Sequence, residues 1–369
     1  MSTFITRFDT AGTGVRLAVK DLIDMEGVPT TAGCRAVANE ATPATADAQC
    51  LAGARSAGAR IVGRTNLHEL ALGVTGVNPW YGTPVNPLDP RLVPGGSSSG
   101  SAVAVATFEA DVALGSDTGG SVRIPSACCG TAGLKTTWGR IPLAGVWPLS
   151  PSFDTVGPMA RDVAGLVVGM ELLEPGFVVG DGAALRVARL RLEADPLIDA
   201  AIDRALALSG WEVADVELPR WHDATAAAGV LLVVEAWETD RDLVERRPDE
   251  IGADVVGRLR LGSAIDARGV ESAHAVKRQW GASLEEIFQR FDVIATPTLT
   301  VFPPPLDGGE ELLMARCTLP VNLAGVPALA LPVPSTGALP ASLQLIGPVH
   351  SEEMLLAAGL ALEAALATL

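Results

Sequence analysis

Two Gly-Gly-Ser turns, 24 residues apart, bracket a run of small apolar residues and leave this stretch few ways to fold. The first reads Pro94-Gly95-Gly96-Ser97-Ser98-Ser99-Gly100-Ser101, the second Gly115-Ser116-Asp117-Thr118-Gly119-Gly120-Ser121-Val122-Arg123-Ile124-Pro125. Between them, Ser98 to Phe108 is small, apolar and uninterrupted, which predicts a buried helix starting beside Ser97. Asp111 to Leu114 then predicts a strand that feeds the second turn. Upstream, short apolar strands at 16–23 and 60–63 flank an alanine-rich stretch, Thr45 to Gly58, read as helix. Such alternation predicts an α/β fold: one large mixed, mostly parallel sheet with helices on both faces.

The pattern continues with helices at 162–173 and 196–208 and strands near 185–191, 211–217 and 292–296. His350 to Leu369 reads as an amphipathic helix with Ser351 as its N-cap. Residues 222–290 are helical and mixed in charge, a divergent insertion or cap over one sheet edge. With no repeat and no linker, the whole of 1–369 is expected to be a single domain.

A net charge of −16 without a lysine-arginine cluster disfavours a nucleic-acid partner. No apolar run reaches the roughly 18 residues of a membrane span, so no membrane partner is expected. Five cysteines, an odd number, do not make a disulfide framework, and no Cys-His spacing suggests a metal. The first residues lack the regions of a signal peptide. The expectation is a cytoplasmic protein with no metal and no cofactor.

A serine hydroxyl is a poor nucleophile until a base takes its proton. Of four histidines none falls in a suitable setting: His68 reads as a structural hydrogen-bonding residue, His222 and His274 as surface residues. Lys20, in Leu17-Ala18-Val19-Lys20-Asp21-Leu22-Ile23-Asp24, can serve if its amine is neutral. That requires a fall of roughly three pKa units, worth about 4 kcal/mol, which burial in an apolar strand can impose. Strand alternation points Asp21 to the opposite face, away from the amine. The turn Thr118-Gly119-Gly120-Ser121 can converge its amide hydrogens on one oxyanion. Neither glycine cluster has P-loop or Rossmann spacing. Asp117 and Arg123 flank the turn and are expected to brace it, Arg123 having the alternative of binding an anionic group of the substrate.

In this order, the lysine and the two serines resemble the amidase signature family. Further stretches are similar to family blocks: Gly63-Arg64-Thr65-Asn66-Leu67-His68-Glu69-Leu70, Asn78-Pro79-Trp80-Tyr81-Gly82-Thr83, Gly133-Leu134-Lys135, residues 149–161 and Leu343-Gln344-Leu345-Ile346-Gly347-Pro348. The resemblance is dense over 16–163, moderate over 292–369 and lost between. It implies an α/β amidase fold and a triad in which Ser121 is the nucleophile, Ser97 the bridge after a cis Gly96–Ser97 bond, and Lys20 the base. It also implies an oxyanion hole from Thr118, Gly119, Gly120 and Ser121, and a substrate-facing loop at Ala71-Leu72-Gly73. Trp147, beside a family block, is expected to touch substrate.

The function expected is hydrolysis of a small or medium carboxylic amide through an acyl-serine, the partner being that small molecule and a homodimer being left open. Two alternatives stand beside it: a glutaminase-like A subunit of an amidotransferase, and a carbamate or ester hydrolase or acyltransferase on the same triad. Lys20 comes early compared with the family, so a more open site, or one covered by a neighbouring protomer, is expected.

Overall fold

A computed structural model describes residues 3–180, 184–308 and 311–368. Among them, eleven strands form one sheet: β1 (Phe4–Arg7), β2 (Arg16–Lys20), β3 (Arg60–Thr65), β4 (Val112–Ser116), β5 (Ala132–Lys135), β6 (Val156–Ala160), β7 (Arg186–Leu190), β8 (Glu212–Val216), β9 (Val293–Pro297), β10 (Ala328–Val333) and β11 (Ala341–Ile346). Their spatial order is β1-β3-β2-β4-β6-β5-β10-β11-β9-β7-β8. The helices are α1 (Arg35–Glu40), α2 (Ala52–Ser56), α3 (Ser99–Ala106), α4 (Arg123–Cys129), α5 (Val163–Leu173), α6 (Pro196–Leu208), α7 (Trp221–Arg246), α8 (Ala253–Ser263), α9 (Ala267–Phe288), α10 (Glu311–Met314), α11 (Leu319–Ala324) and α12 (Glu352–Leu366).

The α/β class holds, and the sheet is mixed rather than mostly parallel. β3-β2-β4 and β9-β7-β8 run parallel at the two flanks. From β4 through β6, β5, β10 and β11 to β9 every pairing is antiparallel. The alternation of strand and helix marks only the flanks. In the centre, β5 joins β6 through residues 136–155 and β10 joins β11 through 334–340, neither with a crossover helix, and such connections fold back antiparallel.

Parallel strands buried on both faces carry apolar residues on both, and β2 does so. Leu17 and Val19 pack with Val112, Leu114, Ala54 and Leu166, while Ala18 packs with Ala102, Val105 and Ala113 against α3. Lys20 shares the Ala18 face by the period of two.

Two local expectations change. The helix expected over 45–58 shrinks to a 3-10 turn (Gln49–Leu51) and α2, because the preceding backbone bonds elsewhere: Ala48 N donates to Asp24 O and Gln49 N to Ala144 O. Ser351 stands before α12 without capping it, since its hydroxyl donates to Pro348 O at 2.6 Å. The stretch 222–290 is helical as expected, with α7 packed along α8, α9 and α11. No helix among the described residues is long and apolar enough to cross a membrane.

Candidate active site

β2 and β4 are parallel neighbours with Val19 opposite Leu114, so Lys20 leaves its strand beside Gly115 and Ser116. Crevices in α/β sheets open at such carboxyl ends. Lys20 is fully buried, and its Nζ donates to Ser97 Oγ and to Ser116 Oγ, both at 2.8 Å. Burial pushes its pKa down to about 7, against the opposing pull of the Asp117 and Asp154 carboxylates. Asp21 takes no part in this: it is turned to Arg64, with which it forms a buried ion pair at 2.5 Å. Ser116 carried no assignment from the sequence. Its signal is register, since a small polar residue ending the strand next to β2 must meet whatever ends β2.

Ser97 is fully buried and follows a cis Gly96–Ser97 peptide, in a turn where Gly95 holds φ at +75°. Its carbonyl accepts from His68 N at 2.9 Å, and Gly96 N donates to Val74 O at 2.6 Å. His68 itself is structural in its contacts. Its ring nitrogens face Thr75 Oγ1 and Asp254 Oδ2, each at 3.3 Å.

The second turn runs from the end of β4 into α4. Gly120 holds φ at +129°, and a Cβ there would lie 2.3 Å from Thr318 Oγ1, so glycine is required on both counts. Asp117 is fully buried and gathers the turn. It accepts from the amides of Gly120 (2.9 Å), Val122 (3.1 Å) and Arg123 (3.4 Å), and from Asn322 Nδ2 at 2.8 Å. Burial works against its ionisation, but the Arg123 guanidinium, Lys135 and Asn322 outweigh it and hold its carboxyl far below the usual range. Arg123 spends all five N–H donors internally: on Asp117 through Nε and Nη2, on Asn322 Oδ1 (2.5 Å), on Gln344 Oε1 (2.7 Å) and on Thr318 O (3.4 Å). It is wholly buried, so it braces the turn, and the alternative of an anion-binding Arg123 has no donor left to support it. Asn322 and Gln344 lie some 200 residues downstream of the turn, and nothing local in the sequence points to them. Asp154 supports Thr118 by accepting from its hydroxyl at 2.6 Å, and burial raises its pKa to about 6.

These contacts leave the turn with a clear division. The Gly120 amide is committed to Asp117, whereas those of Thr118, Gly119 and Ser121 have no acceptor among the described residues. Ser121, 6% exposed as a residue, borders a cavity of about 220 Å³. Ala71, Leu72, Gly73 and Val74 form one wall. Gly229, Leu232 and Val233 of α7 form a second, Ala315, Leu319 and Leu149 a third, and Arg258 of α8 completes it. Trp147 is placed elsewhere. It borders a separate cavity of about 770 Å³ with Asp24, Thr239, Asp240 and Leu243. Ser98 N donates to Ser121 O at 3.2 Å, which ties the two serine turns together, while no hydrogen bond joins the Ser97 and Ser121 hydroxyls among the described residues.

A lysine with a lowered pKa between two serine hydroxyls, beside a third serine at an open cavity, is an arrangement for moving protons to and from a serine oxygen. The family model described as Amidase matches residues 12–174 and 184–356. The chain is 32% identical to the A subunit of glutamyl-tRNA(Gln) amidotransferase of Halobacterium salinarum, over 98% of this chain and 99% of that one. The crystal structure of an amidase aligns with a TM-score of 0.89 at 33% identity, covering 95% of this chain and 84% of the other. That of the glutamyl-tRNA(Gln) amidotransferase A subunit from Thermotoga maritima aligns at 0.84 and 28% identity, covering 96% and 85%. Site blocks, sheet order and whole-chain similarity lead to one assignment: the chain belongs to the amidase family, the amidase-signature enzymes that act on carbon–nitrogen bonds.

Proposed function

We propose that the protein is an amidohydrolase that cleaves the C–N bond of a carboxylic amide through an acyl-Ser121 intermediate. The observation that carries this reading is the buried Lys20 amine, lowered to about 7 and bonded at 2.8 Å to Ser97, whose turn is tied to that of Ser121.

In the first half-reaction the neutral Lys20 amine takes the Ser97 proton as Ser97 takes that of Ser121, and Ser121 Oγ attacks the carbonyl carbon. The Thr118, Gly119 and Ser121 amides receive the oxyanion, each such donor being worth about 10²–10³ in rate. The intermediate collapses by breaking the C–N bond, and Ser97 returns the proton to the departing nitrogen as Lys20 reprotonates Ser97. Water then attacks the acyl carbon by the same relay in reverse, releasing the carboxylic acid and restoring Ser121. The relay needs a Ser121–Ser97 hydrogen bond, and catalytic hydrogen bonds commonly tighten only with substrate in place. Esters and carbamates pass through the same tetrahedral geometry and fit the same reading.

A second reading has its own support: the relatives from Halobacterium salinarum and Thermotoga maritima are named as A subunits of an amidotransferase. On that reading the site would release ammonia from an amide for use by partner chains, and turnover would depend on their presence.

Intact-mass labelling with a fluorophosphonate tests the nucleophile. Wild type is expected to gain one adduct, and Ser121→Ala none. A wild-type protein that takes no adduct would overturn the serine-hydrolase reading.

A further inference from the structure

The walls around Ser121 carry information about the substrate. Among the described residues that line the 220 Å³ cavity, alanine, valine and leucine supply most of the side chains, and Gly73, Gly119 and Gly229 fill the gaps between them. Besides Ser121, Arg258 alone brings a polar side chain to this lining. Its Nη1 donates to Leu72 O at 2.8 Å and lies 3.9 Å from Asp254. No carboxylate of the described residues lines the cavity.

We infer that the acyl part of the substrate is apolar and uncharged, of the size of a benzyl group or a six-carbon chain. This rests on Ser121 being the nucleophile, since the acyl group then stays on Ser121 Oγ through both half-reactions and must occupy the space this residue opens onto. The α-ammonium of an amino-acid amide would enter a site with no counter-charge, and burying an unpaired ion costs several kcal/mol. The volume sets the scale: an apolar cavity of roughly 150 Å³ accommodates benzene, so about 220 Å³ takes a ring and a few further carbons. The amidotransferase relatives take their name from an aminoacyl-tRNA reaction, and this lining separates the present chain from glutamine as a preferred substrate.

Gly229 supplies an internal ruler. It borders the cavity on α7, and a Cβ at that position would meet nothing within 4 Å. A larger side chain there enters open space at the border of the cavity rather than the helix packing, and replacing a mid-helix glycine does not weaken the helix.

The test measures kcat/KM for phenylacetamide, hexanamide, acetamide, malonamate and glutamine, on wild type and on Gly229→Phe, with thermal unfolding to verify folding. Wild type is expected to prefer phenylacetamide and hexanamide over glutamine and malonamate by about 100-fold or more. In Gly229→Phe the phenylacetamide-to-acetamide ratio is expected to fall at least about tenfold. A preference for glutamine or malonamate in a protein that labels at Ser121 would overturn the inference and leave the hydrolase standing. So would labelling without turnover of either apolar amide, or an unchanged ratio in a folded Gly229→Phe. Failure to label at Ser121 would remove the proposed function, and this inference with it.

Discussion

Desolvating an ammonium costs several kcal/mol, and the two serine hydroxyls around Lys20 return only part of that. Its pKa of about 7 therefore keeps a large share of the amine neutral at physiological pH. Only the neutral form can take a proton, so kcat/KM is expected to rise with pH through about 7 and level off above it. Lys20→Met should remove this limb along with at least about 10² of the rate. The linkage to stability runs in the same direction but over a higher window. Since the folded pKa lies below the unfolded one, the unfolded chain binds more protons between about 7 and 10.5, so stability rises with pH across that window and the penalty is complete below 7. Lys20→Met is thus expected to unfold at pH 6 no lower in temperature than wild type. A lowered Tm at that pH would contradict this account of the residue.

At the scale of elements, the Ser121 turn is a graft of one strand end and one helix start onto distant parts of the chain. Asp117 draws in the amides of the turn and pairs with Arg123, which reaches α11 and β11. Asp117→Asn would leave the Arg123 guanidinium buried without its counter-ion, a loss of about 3–5 kcal/mol. Expected together are a Tm depressed by several degrees and a loss of fluorophosphonate labelling, because the same carboxylate shapes the turn. Normal labelling in a destabilised Asp117→Asn would show that the turn holds its form without it.

How far such elements can be read from sequence depends on whether their cause is local. β2, α3 and β4 announce themselves by apolar runs between glycine turns, and Lys20, Ser97 and Ser121 come with them. β6 and β10 carry apolar residues on both faces and hold Pro158 and Pro332 within the strand, so neither alternation nor composition marks them out. Gln344 owes its place to the pairing of β11 across the sheet, and Asn322 to the seating of α11 against the turn. Trp147 shows the same limit from the other side: adjacency in sequence to the family block at 149–161 does not bring its ring to the cavity in front of Ser121.

Across the whole molecule, the helical layer of α7, α8 and α9 supplies part of the cavity and part of the stability. On α7, Asp240 is 2% exposed, and burial pushes its carboxyl up to about 7, against a contact with Trp147 that favours ionisation. A carboxyl whose folded pKa exceeds its unfolded value binds its proton more tightly in the native state. Stability therefore falls as pH rises from about 4 to about 7, and the whole penalty is present above that. Asp240→Asn is expected to raise Tm at pH 8 by a few degrees, corresponding to about 1 kcal/mol or more, and to flatten the decline between pH 4 and 7. Equal Tm values at pH 8 would mean that the charge is solvated after all.

The Arg123 clamp also sets a schedule. Its partner Gln344 is 221 residues away, and Asn322 lies 205 residues from Asp117. At about 5–20 residues per second of synthesis, roughly 10–40 s pass between the emergence of Ser121 and that of the residues that hold its turn in shape. For that interval the nascent chain lacks the groups that brace the turn carrying Ser121. The turn is in effect completed from the far end of the fold, so on the proposed function a chain cut short before β11 would contain Lys20, Ser97 and Ser121 and is expected to take no fluorophosphonate label.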